Sequence, residues 1–259
     1  MNVLADLHTH TNFSADGKDH MADMCRAAIS KGLSYICFTD HIDNNPSDNG
    51  YKYFNYAKYS ETIERMREEF GDKIQVLKGI EFAEPHLYPR EFEDVLKKDF
   101  DIVMVGIHYL GETYVGDKVI SGNYSKQQIF REYYREVLKA VKFGGFDVLA
   151  HFDLPKRYFK GSYSEKEMTL EILQEMVNKG IALEINTSPL RRGFTECTPD
   201  SEILKQYIEA GGTKVTTGSD AHSCGDIAAD FDYAHKLIKD FQGIPGIFKG
   251  RRFIPIDSL

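Results

Sequence analysis

The chain has 259 residues, and its 42% hydrophobic and 28% charged residues are typical of a globular protein and exclude intrinsic disorder. Its 32 basic and 40 acidic residues leave a net charge of −8, which disfavours a nucleic-acid partner because such binding needs Lys and Arg to neutralise phosphates. We expect no membrane association, since no apolar run approaches the ~18 residues of a membrane span. The first residues do not resemble a signal peptide, and the four cysteines form no Cys-x-x-Cys pair. These features predict a cytoplasmic protein with reduced thiols.

Seven short apolar runs, rich in β-branched or aromatic residues, are the predicted strands. They cover residues 3–7, 35–39, 74–80, 101–107, 147–150, 181–185 and 214–217. Because the runs are almost continuously apolar, they favour a parallel sheet that is buried on both faces.

Amphipathic segments with helix signals lie between the predicted strands. Capping boxes at Ser125 and Ser164 start two helices, and Pro199 is placed in the first turn of a third. Further helices are predicted over residues 19–31, 56–70 and 226–241. Seven strand–helix units in one domain, residues 1–259, match the size of a closed β/α barrel better than an open doubly wound sheet. No glycine-rich phosphate loop follows a strand, which also disfavours a nucleotide-binding sheet.

His, Asp or Glu follows six of the seven predicted strands at the end where β/α barrels build their active sites. These residues are His8, His10, Asp16, His41, Glu81, His108, His151, Asp220 and His222. Neutral imidazoles and carboxylates are the ligands that Zn, Mn and Fe accept. Residues i and i+2 of a strand point to the same side, so His8 and His10 can hold one ion, as can Asp220 and His222.

The number of candidate ligands indicates several ions. With Glu81 as a bridge, the nine ligands fill ten coordination positions, whereas three four-coordinate ions need about twelve. The remaining positions suit hydroxide or a substrate oxygen, and such an open cluster is typical of a catalytic site.

The same strand-end residues form a family pattern. The motifs are Asp6-Leu7-His8-Thr9-His10, Ser14-Ala15-Asp16-Gly17, Thr39-Asp40-His41, Gly79-Ile80-Glu81, His108, His151 and Ser219-Asp220-Ala221-His222. This pattern resembles the polymerase and histidinol phosphatase (PHP) family, and more closely its stand-alone histidinol-phosphatases. The resemblance implies an α/β fold, a distorted, TIM-barrel-like (β/α)7 barrel. It places three divalent metal ions (Zn, Mn or Fe) at the C-terminal ends of the strands.

The resemblance also implies how the ligands divide among the three ions. The first ion is held by His8, His10, Glu81 and Asp220. The second is held by Glu81, His108 and His151. The third is held by Asp16, His41 and His222. Some relatives have histidine at the position of Asp16, so the third site here is more oxygen-rich.

The expected activity is that of a metal-dependent phosphoric monoester hydrolase. The resemblance implies hydrolysis of L-histidinol phosphate to L-histidinol and phosphate, a step of histidine biosynthesis, with a metal-bound hydroxide as nucleophile. Glu81, Asp220 and His222 are the predicted catalytic residues. No GxSxG elbow and no Cys-x5-Arg loop offers a protein nucleophile.

Arginines that follow the fifth and sixth predicted strands are the predicted phosphate ligands, because a guanidinium binds phosphate bidentately. Arg157 is one of them, and either Arg191 or Arg192 is the other. The aspartates beside two ligand histidines, Asp40 and Asp153, either orient imidazoles, accept the substrate's cationic amine, or are solvated loop carboxylates.

Other noticeable residues receive structural interpretations. His20, His86 and His235 are expected to be structural or solvent-facing, and Cys224 is expected to be neither a ligand nor a nucleophile. The aromatic segment 51–56 either covers the site or packs on the fold.

Three other interpretations compete with this hypothesis: a related phosphatase, an amidohydrolase, and a non-catalytic metal-storage or interaction protein. A related phosphatase could act on a nucleotide, a sugar phosphate or phosphotyrosine, while the acidic surface disfavours an exonuclease. Metal-dependent amidohydrolases share the first-strand His-x-His but usually carry a bridging lysine where this chain has His108. Metal storage would require a closed ligand shell, which the ligand count opposes.

Overall fold

The computed structural model describes residues 4–159 and 165–256. The strands in this part of the chain are β1 (Ala5–Thr9), β2 (Tyr35–Phe38), β3 (His41–Ile42), β4 (Gln75–Ala83), β5 (Ile102–Gly106), β6 (Tyr109–Leu110), β7 (Thr113–Tyr114), β8 (Val148–Leu149), β9 (Ala182–Asn186), β10 (Lys214–Gly218), β11 (Ile244–Lys249) and β12 (Arg252–Pro255). The helices are α1 (Met21–Ser30), α2 (Tyr56–Phe70), α3 (Pro89–Leu96), α4 (Lys118–Asn123), α5 (Lys126–Phe143), α6 (Lys166–Lys179), α7 (Ser201–Glu209) and α8 (Phe231–Asp240).

The fold is α/β and is built on a mostly parallel central sheet. Its strand order is β1-β2-β4-β5-β8-β9-β10-β11-β12, with β3 added on β4. All of these pairs are parallel except β11 with β12, and β6 and β7 form a separate hairpin. Beyond β10 the chain bonds to β1: the His10 N–H donates to the Ala221 carbonyl at 2.8 Å, and the Asp220 N–H donates to the His8 carbonyl at 2.8 Å. The carboxyl ends of β1 and β10 therefore meet.

The seven predicted strands correspond to β1, β2, β4, β5, β8, β9 and β10, so the predicted parallel sheet is confirmed. Val3, at the start of the first predicted strand, lies outside the described residues. The prediction missed the two-residue strands β3, β6 and β7, which are too short to show a period. It also missed β11 and β12, because Pro and Gly interrupt the apolar residues of β11 and most of β12, the edge strand, is exposed.

The helix termini can be compared with those predicted from the sequence, and two of the predicted helix starts were wrong. The capping box at Ser125 is present in both directions, whereas Ser164 lies outside the described residues. The placement of Pro199 in the first turn of α7 was wrong, because Asp200 caps that helix by accepting the Ile203 N–H at 3.0 Å. Helix α8 starts five residues later than predicted, since a left-handed backbone at Asp230 (φ 60°) interrupts the chain before it.

Two apolar layers hold the site in place. Residues on one face of the strands, such as Leu7, Leu77 and Met104, form an inner core. The other face packs against the helices, and Tyr59 of α2 donates its hydroxyl to the carbonyls of Phe38 (2.7 Å) and Gly79 (2.8 Å). These buried contacts fix the end of β2 and the middle of β4, two residues before Glu81. No helix within residues 4–159 and 165–256 has the length and apolar content of a transmembrane segment.

Candidate metal centre

Glu81 stands at the middle of a cluster of imidazoles. It lies near the end of β4 and is 1% exposed. Its Oε1 atom is 2.7 Å from His151 Nε2 and 3.3 Å from His108 Nε2. Its Oε2 atom is 3.1 Å from His8 Nε2 and 3.5 Å from His10 Nε2. The two carboxylate oxygens thus face different sets of histidines, an arrangement that suits a bridging ligand.

Two aspartates extend the cluster on the side of β1 and β10. Asp220 Oδ1 lies 3.8 Å from His8 Nε2, 3.5 Å from His10 Nε2 and 3.6 Å from His222 Nδ1. Asp16 Oδ2 lies 3.0 Å from His222 Nε2. Asp16 is 59% exposed, so this side of the cluster opens to solvent.

The fold brings together all nine ligands that the sequence predicts. His41, from β3, completes the set, with its Nδ1 atom 3.4 Å from Glu81 Oε2 and its Nε2 atom 3.9 Å from Asp16 Oδ2. The set comes from segments distant in the chain because the carboxyl ends of parallel strands meet at one edge of the sheet.

The donor set fits metal ions. The Nε2 atoms of His8 and His10 are 3.0 Å apart, and those of His108 and His151 are 3.3 Å apart. Two imidazole nitrogens that face each other at such distances, beside carboxylates, form a pocket for a shared cation. In the described part of the chain, four groups of three His, Asp or Glu ligand atoms lie within 4.8 Å of one another. Imidazole with carboxylate suits Zn, Mn or Fe.

The charges of the cluster favour the ligand forms of its carboxyl groups. Burial raises the pKa of Glu81, but the imidazoles led by His8 outweigh it and hold that pKa well below its usual value. Burial likewise raises the pKa of Asp220, and the Arg157 guanidinium reverses this and holds it low. Burial lowers the pKa of His108, yet the charge of Glu81 raises it to about 10. The carboxylates therefore favour a positive charge at these nitrogens. Either a proton or a metal ion can supply that charge.

The backbone is adapted to the crowding around these ligands. His151 and Asp220 have left-handed backbone angles, with φ of 28° and 54°. A Cβ atom on Gly106 would lie 2.4 Å from Glu81 Oε1, and one on Gly218 would lie 2.2 Å from Glu184 Oε1. Only glycine leaves room for the two carboxylates at these positions.

Glu184 is a site residue that the sequence analysis missed, because the sixth strand end carries no histidine. It is fully buried, and its Oε1 atom accepts the Nδ1 proton of His8 at 2.6 Å. A carboxylate only accepts, so the contact fixes the His8 tautomer and turns the free Nε2 electron pair toward the cluster. Its Oε2 atom also accepts the backbone N–H of His151 at 2.7 Å.

We predict that Glu184→Gln lowers metal affinity by about 10- to 100-fold, because a neutral amide holds the His8 tautomer less firmly than a carboxylate. Metal titration followed by elemental analysis of the dialysed protein measures this effect. Asp147→Asn is the matched control, since Asp147 is a buried carboxylate that accepts the Val103 N–H at 2.8 Å at the opposite end of the sheet. Equal metal affinity in Glu184→Gln and the unchanged protein would contradict the prediction.

Asp40 and Asp153 are both fully buried, so the interpretation as solvated loop carboxylates was wrong for both. Asp40 accepts the Ser14 hydroxyl at 2.8 Å, and Ser14 Oγ in turn lies 3.3 Å from His10 Nδ1. Asp40 thus orients an imidazole through one serine. Asp153 pairs with Lys156 at 2.6 Å and does not line the cavity.

The three predicted arginines occupy different positions. Arg157 is 7% exposed and lines the cavity, and its Nη2 atom donates to Asp220 Oδ2 at 2.5 Å. Arg192 also lines the cavity. Arg191 instead donates to the Asp220 carbonyl at 3.3 Å and lies 3.4 Å from Asp226.

A cavity of about 330 Å³ opens above the cluster. Its walls include Tyr109, Tyr114 and Tyr158, and two acidic residues, Asp43 and Asp48. The aromatic segment 51–56 is not among the lining residues, although residues 48–50 just before it are. The sequence analysis missed Asp43, which lies two residues after a ligand histidine.

The remaining histidines and Cys224 lie outside the cluster. His86 pairs with Glu136 at 2.8 Å, and His235 packs against Phe231 in α8. His20 precedes the first residue of α1. The Cys224 N–H donates to Asp19 at 2.7 Å, and its thiol pKa is raised, chiefly by burial, to about 11, which disfavours a thiolate nucleophile.

Comparisons with known proteins agree with this geometry. The PHP domain model matches residues 6–188. The chain is 30% identical to a Deinococcus radiodurans protein named "Probable histidinol-phosphatase", over 98% of this chain and 100% of that protein. It is 31% identical to the histidinol-phosphatase of Lactococcus lactis subsp. lactis, over 90% of each chain.

A solved structure of a histidinol phosphate phosphatase has a similar fold over nearly the whole chain. The histidinol phosphate phosphatase of Lactococcus lactis subsp. lactis, complexed with zinc, L-histidinol and phosphate, superposes with a TM-score of 0.87 at 28% identity. The match covers 98% of this chain and 100% of that one. With the family model spanning most of the chain and the strand-end ligands gathered in one cluster, this chain belongs to the PHP domain family.

Proposed function

We propose that this chain hydrolyses L-histidinol phosphate to L-histidinol and phosphate. The observation that carries the proposal is a cluster of nine metal-ligand side chains open to a cavity with two arginines in its wall. The similar Lactococcus lactis structure, which holds zinc, L-histidinol and phosphate, supports the choice of substrate. Histidine biosynthesis is the process in which this reaction would serve.

The proposed centre holds three divalent ions. His8, His10, Glu81 and Asp220 would hold the first. Glu81, His108 and His151 would hold the second. Asp16, His41 and His222 would hold the third. When bound, the ions would neutralise the phosphoryl oxygens and supply an activated water as nucleophile. Glu81, Asp220 and His222 are the proposed catalytic residues because they link these groups to one another.

The protein's own part in the reaction is to position the phosphate and stabilise its charge. Arg157 is held in place by Asp220 and by the Asn186 side-chain oxygen at 3.1 Å, so little conformational freedom is lost when it binds an anion. Arg192 stands in the cavity wall. Two guanidinium groups can stabilise the charge that the phosphoryl group carries in the transition state.

We expect Arg192→Ala to lower kcat/KM about 100-fold, because it removes a charge-assisted contact to the phosphate. Arg191→Ala is the matched variant and should lower kcat/KM less than about 5-fold, since its guanidinium contacts Asp220 and Asp226. Steady-state kinetics and inhibition by inorganic phosphate measure both effects. If both variants leave kcat/KM within a factor of about two, neither arginine binds the phosphate.

The overall form of the molecule is part of the proposal. We propose that the parallel strands close into a distorted, TIM-barrel-like (β/α)7 barrel in one domain spanning residues 1–259, and the bonds between β1 and the segment after β10 support closure. A cytoplasmic location is supported by four free cysteines, three of them buried.

The test of the proposed function is phosphate release from a panel of phosphomonoesters with Mn²⁺ or Zn²⁺ supplied. The panel contains L-histidinol phosphate, a nucleoside monophosphate, a sugar phosphate and phosphotyrosine. We expect a preference of about 10³-fold for L-histidinol phosphate, equivalent to about 4 kcal/mol in the transition state. A flat profile, or a preference for another ester, would overturn the assigned substrate.

A further inference from the structure

The cavity above the metal centre carries opposite charges on different sides. Arg157 and Arg192 follow β8 and β9, whereas Asp43 and Asp48 follow β3, which pairs with β4. Strand β5 separates β4 from β8 in the sheet. A ligand that carries both an anionic and a cationic group complements such a cavity better than a simple anion does.

Asp43 is the unusual residue of the acidic side. It directly follows β3, is 6% exposed and lines the cavity. Its backbone is fixed, because its carbonyl accepts the Lys52 N–H at 3.1 Å. Among residues 4–159 and 165–256, its carboxylate accepts no hydrogen bond and has no ion pair within 4.0 Å, although it faces the imidazoles of His41 and His108. A buried carboxylate without a partner is costly, and a bound cation would offset that cost.

Asp48 differs from Asp43 although both line the same wall. Its Oδ1 atom accepts the Gly50 N–H at 2.6 Å. One oxygen of Asp48 is therefore already used within the protein. The side chain that is free to bind a ligand cation is that of Asp43.

The position of Asp43 suits a cation close to the phosphate. One of its carboxylate oxygens lies within 4.8 Å of a ring nitrogen of each of His41 and His108. In L-histidinol phosphate, two carbon atoms separate the ester oxygen from the ammonium nitrogen. A phosphate bound at the metal centre therefore brings the ammonium group close to the cluster, and Asp43 is a cavity carboxylate beside two of the candidate ligand histidines.

We propose that Asp43 binds the ammonium group of the substrate and thereby selects phosphomonoesters with an amine two carbons from the ester oxygen. This inference rests on the proposed function for the identity of the ester. Asp43 acts as a specificity residue, and it takes no part in bond breaking.

The experiment compares L-histidinol phosphate with its des-amino analogue, 3-(imidazol-4-yl)propyl phosphate. For the unchanged protein, loss of the amine should lower kcat/KM about 30-fold. Asp43→Asn should lower kcat/KM about 30-fold on L-histidinol phosphate and less than about 3-fold on the analogue. It should also weaken binding of L-histidinol in calorimetry and leave the metal content unchanged.

Asp48→Asn is the matched control, since it removes the same charge from the same wall. It should affect both esters equally. The assignment is overturned if Asp43→Asn lowers both esters equally or reduces the bound metal, which would make Asp43 a metal ligand. It is equally overturned if Asp48→Asn instead shows the amine-dependent loss.

Failure of the proposed function has a different signature. An unchanged protein that ignores L-histidinol phosphate but hydrolyses another ester would overturn the proposed substrate. The comparison of 2-aminoethyl phosphate with ethyl phosphate then tests Asp43, because the first ester has the same spacing between amine and phosphate. An equal effect of Asp43→Asn on both of these esters would overturn the amine assignment, and an amine-dependent loss would support it.

Discussion

Glu81→Gln should lower kcat for phosphomonoester hydrolysis by at least about a thousandfold, which corresponds to about 4 kcal/mol in the activation free energy. The reason is the position of the side chain: its two oxygens face different sets of histidines. An amide has one acceptor oxygen and no negative charge, so it cannot bridge two cation positions. Steady-state kinetics, together with elemental analysis of the same samples, measure the loss of turnover and of bound metal.

The control for this variant is Glu136→Gln, which also neutralises a glutamate that contacts a histidine. Glu136 pairs with His86 at 2.8 Å, away from the cluster, and neither residue lines the cavity. We expect this variant to keep its metal and its activity within a factor of about two. A Glu81→Gln protein with full metal content and near-normal kcat would disprove the bridging role.

Removal of metal should abolish activity and lower the melting temperature by about 10 °C. Three acidic groups, Asp16, Glu81 and Asp220, each contact an imidazole of the cluster, and bound cations neutralise their negative charges. Metal at a thousand times its Kd adds about 4 kcal/mol to the stability of the folded state. For a domain of this size, each kcal/mol corresponds to about 2–4 °C.

Calorimetry or dye-monitored melting before and after dialysis against a chelator measures the shift. Elemental analysis should count about three ions per chain before dialysis if every proposed site is filled. Readdition of Zn²⁺ or Mn²⁺ should restore both activity and melting temperature. A metal-free protein that melts at the original temperature would show that the cluster does not couple metal binding to folding.

The candidate ligand set could be assembled from the sequence because each of its signals is local. Strand β4, for example, shows a buried apolar run that ends in Glu81, and β1 places His8 and His10 on one side by its two-residue period. Parallel strands end at one edge of the sheet, so residues that follow them meet without any knowledge of the loops. The same reasoning cannot predict how the imidazole ring of a ligand histidine is oriented.

Glu184 shows where this reasoning stops. It contacts a candidate ligand histidine 176 positions away in the chain. Its charge interrupts an apolar strand, but the sequence does not show which residue it contacts. For the same reason, the sequence could not predict which of Arg191 and Arg192 lines the cavity. Adjacent residues of a short helical turn point in different directions, and only the packed loop decides which one lines the cavity.

The α/β pattern, the parallel sheet and the nine candidate ligands are visible in the sequence because residue type and short-range period encode them. Packing settles three other properties: which nitrogen of His8 faces the cluster, which arginine faces the cavity, and that Asp43 is buried without a hydrogen bond. Those properties depend on hydrogen bonds and burial between segments far apart in the chain, and such contacts exist only once the strands have packed side by side.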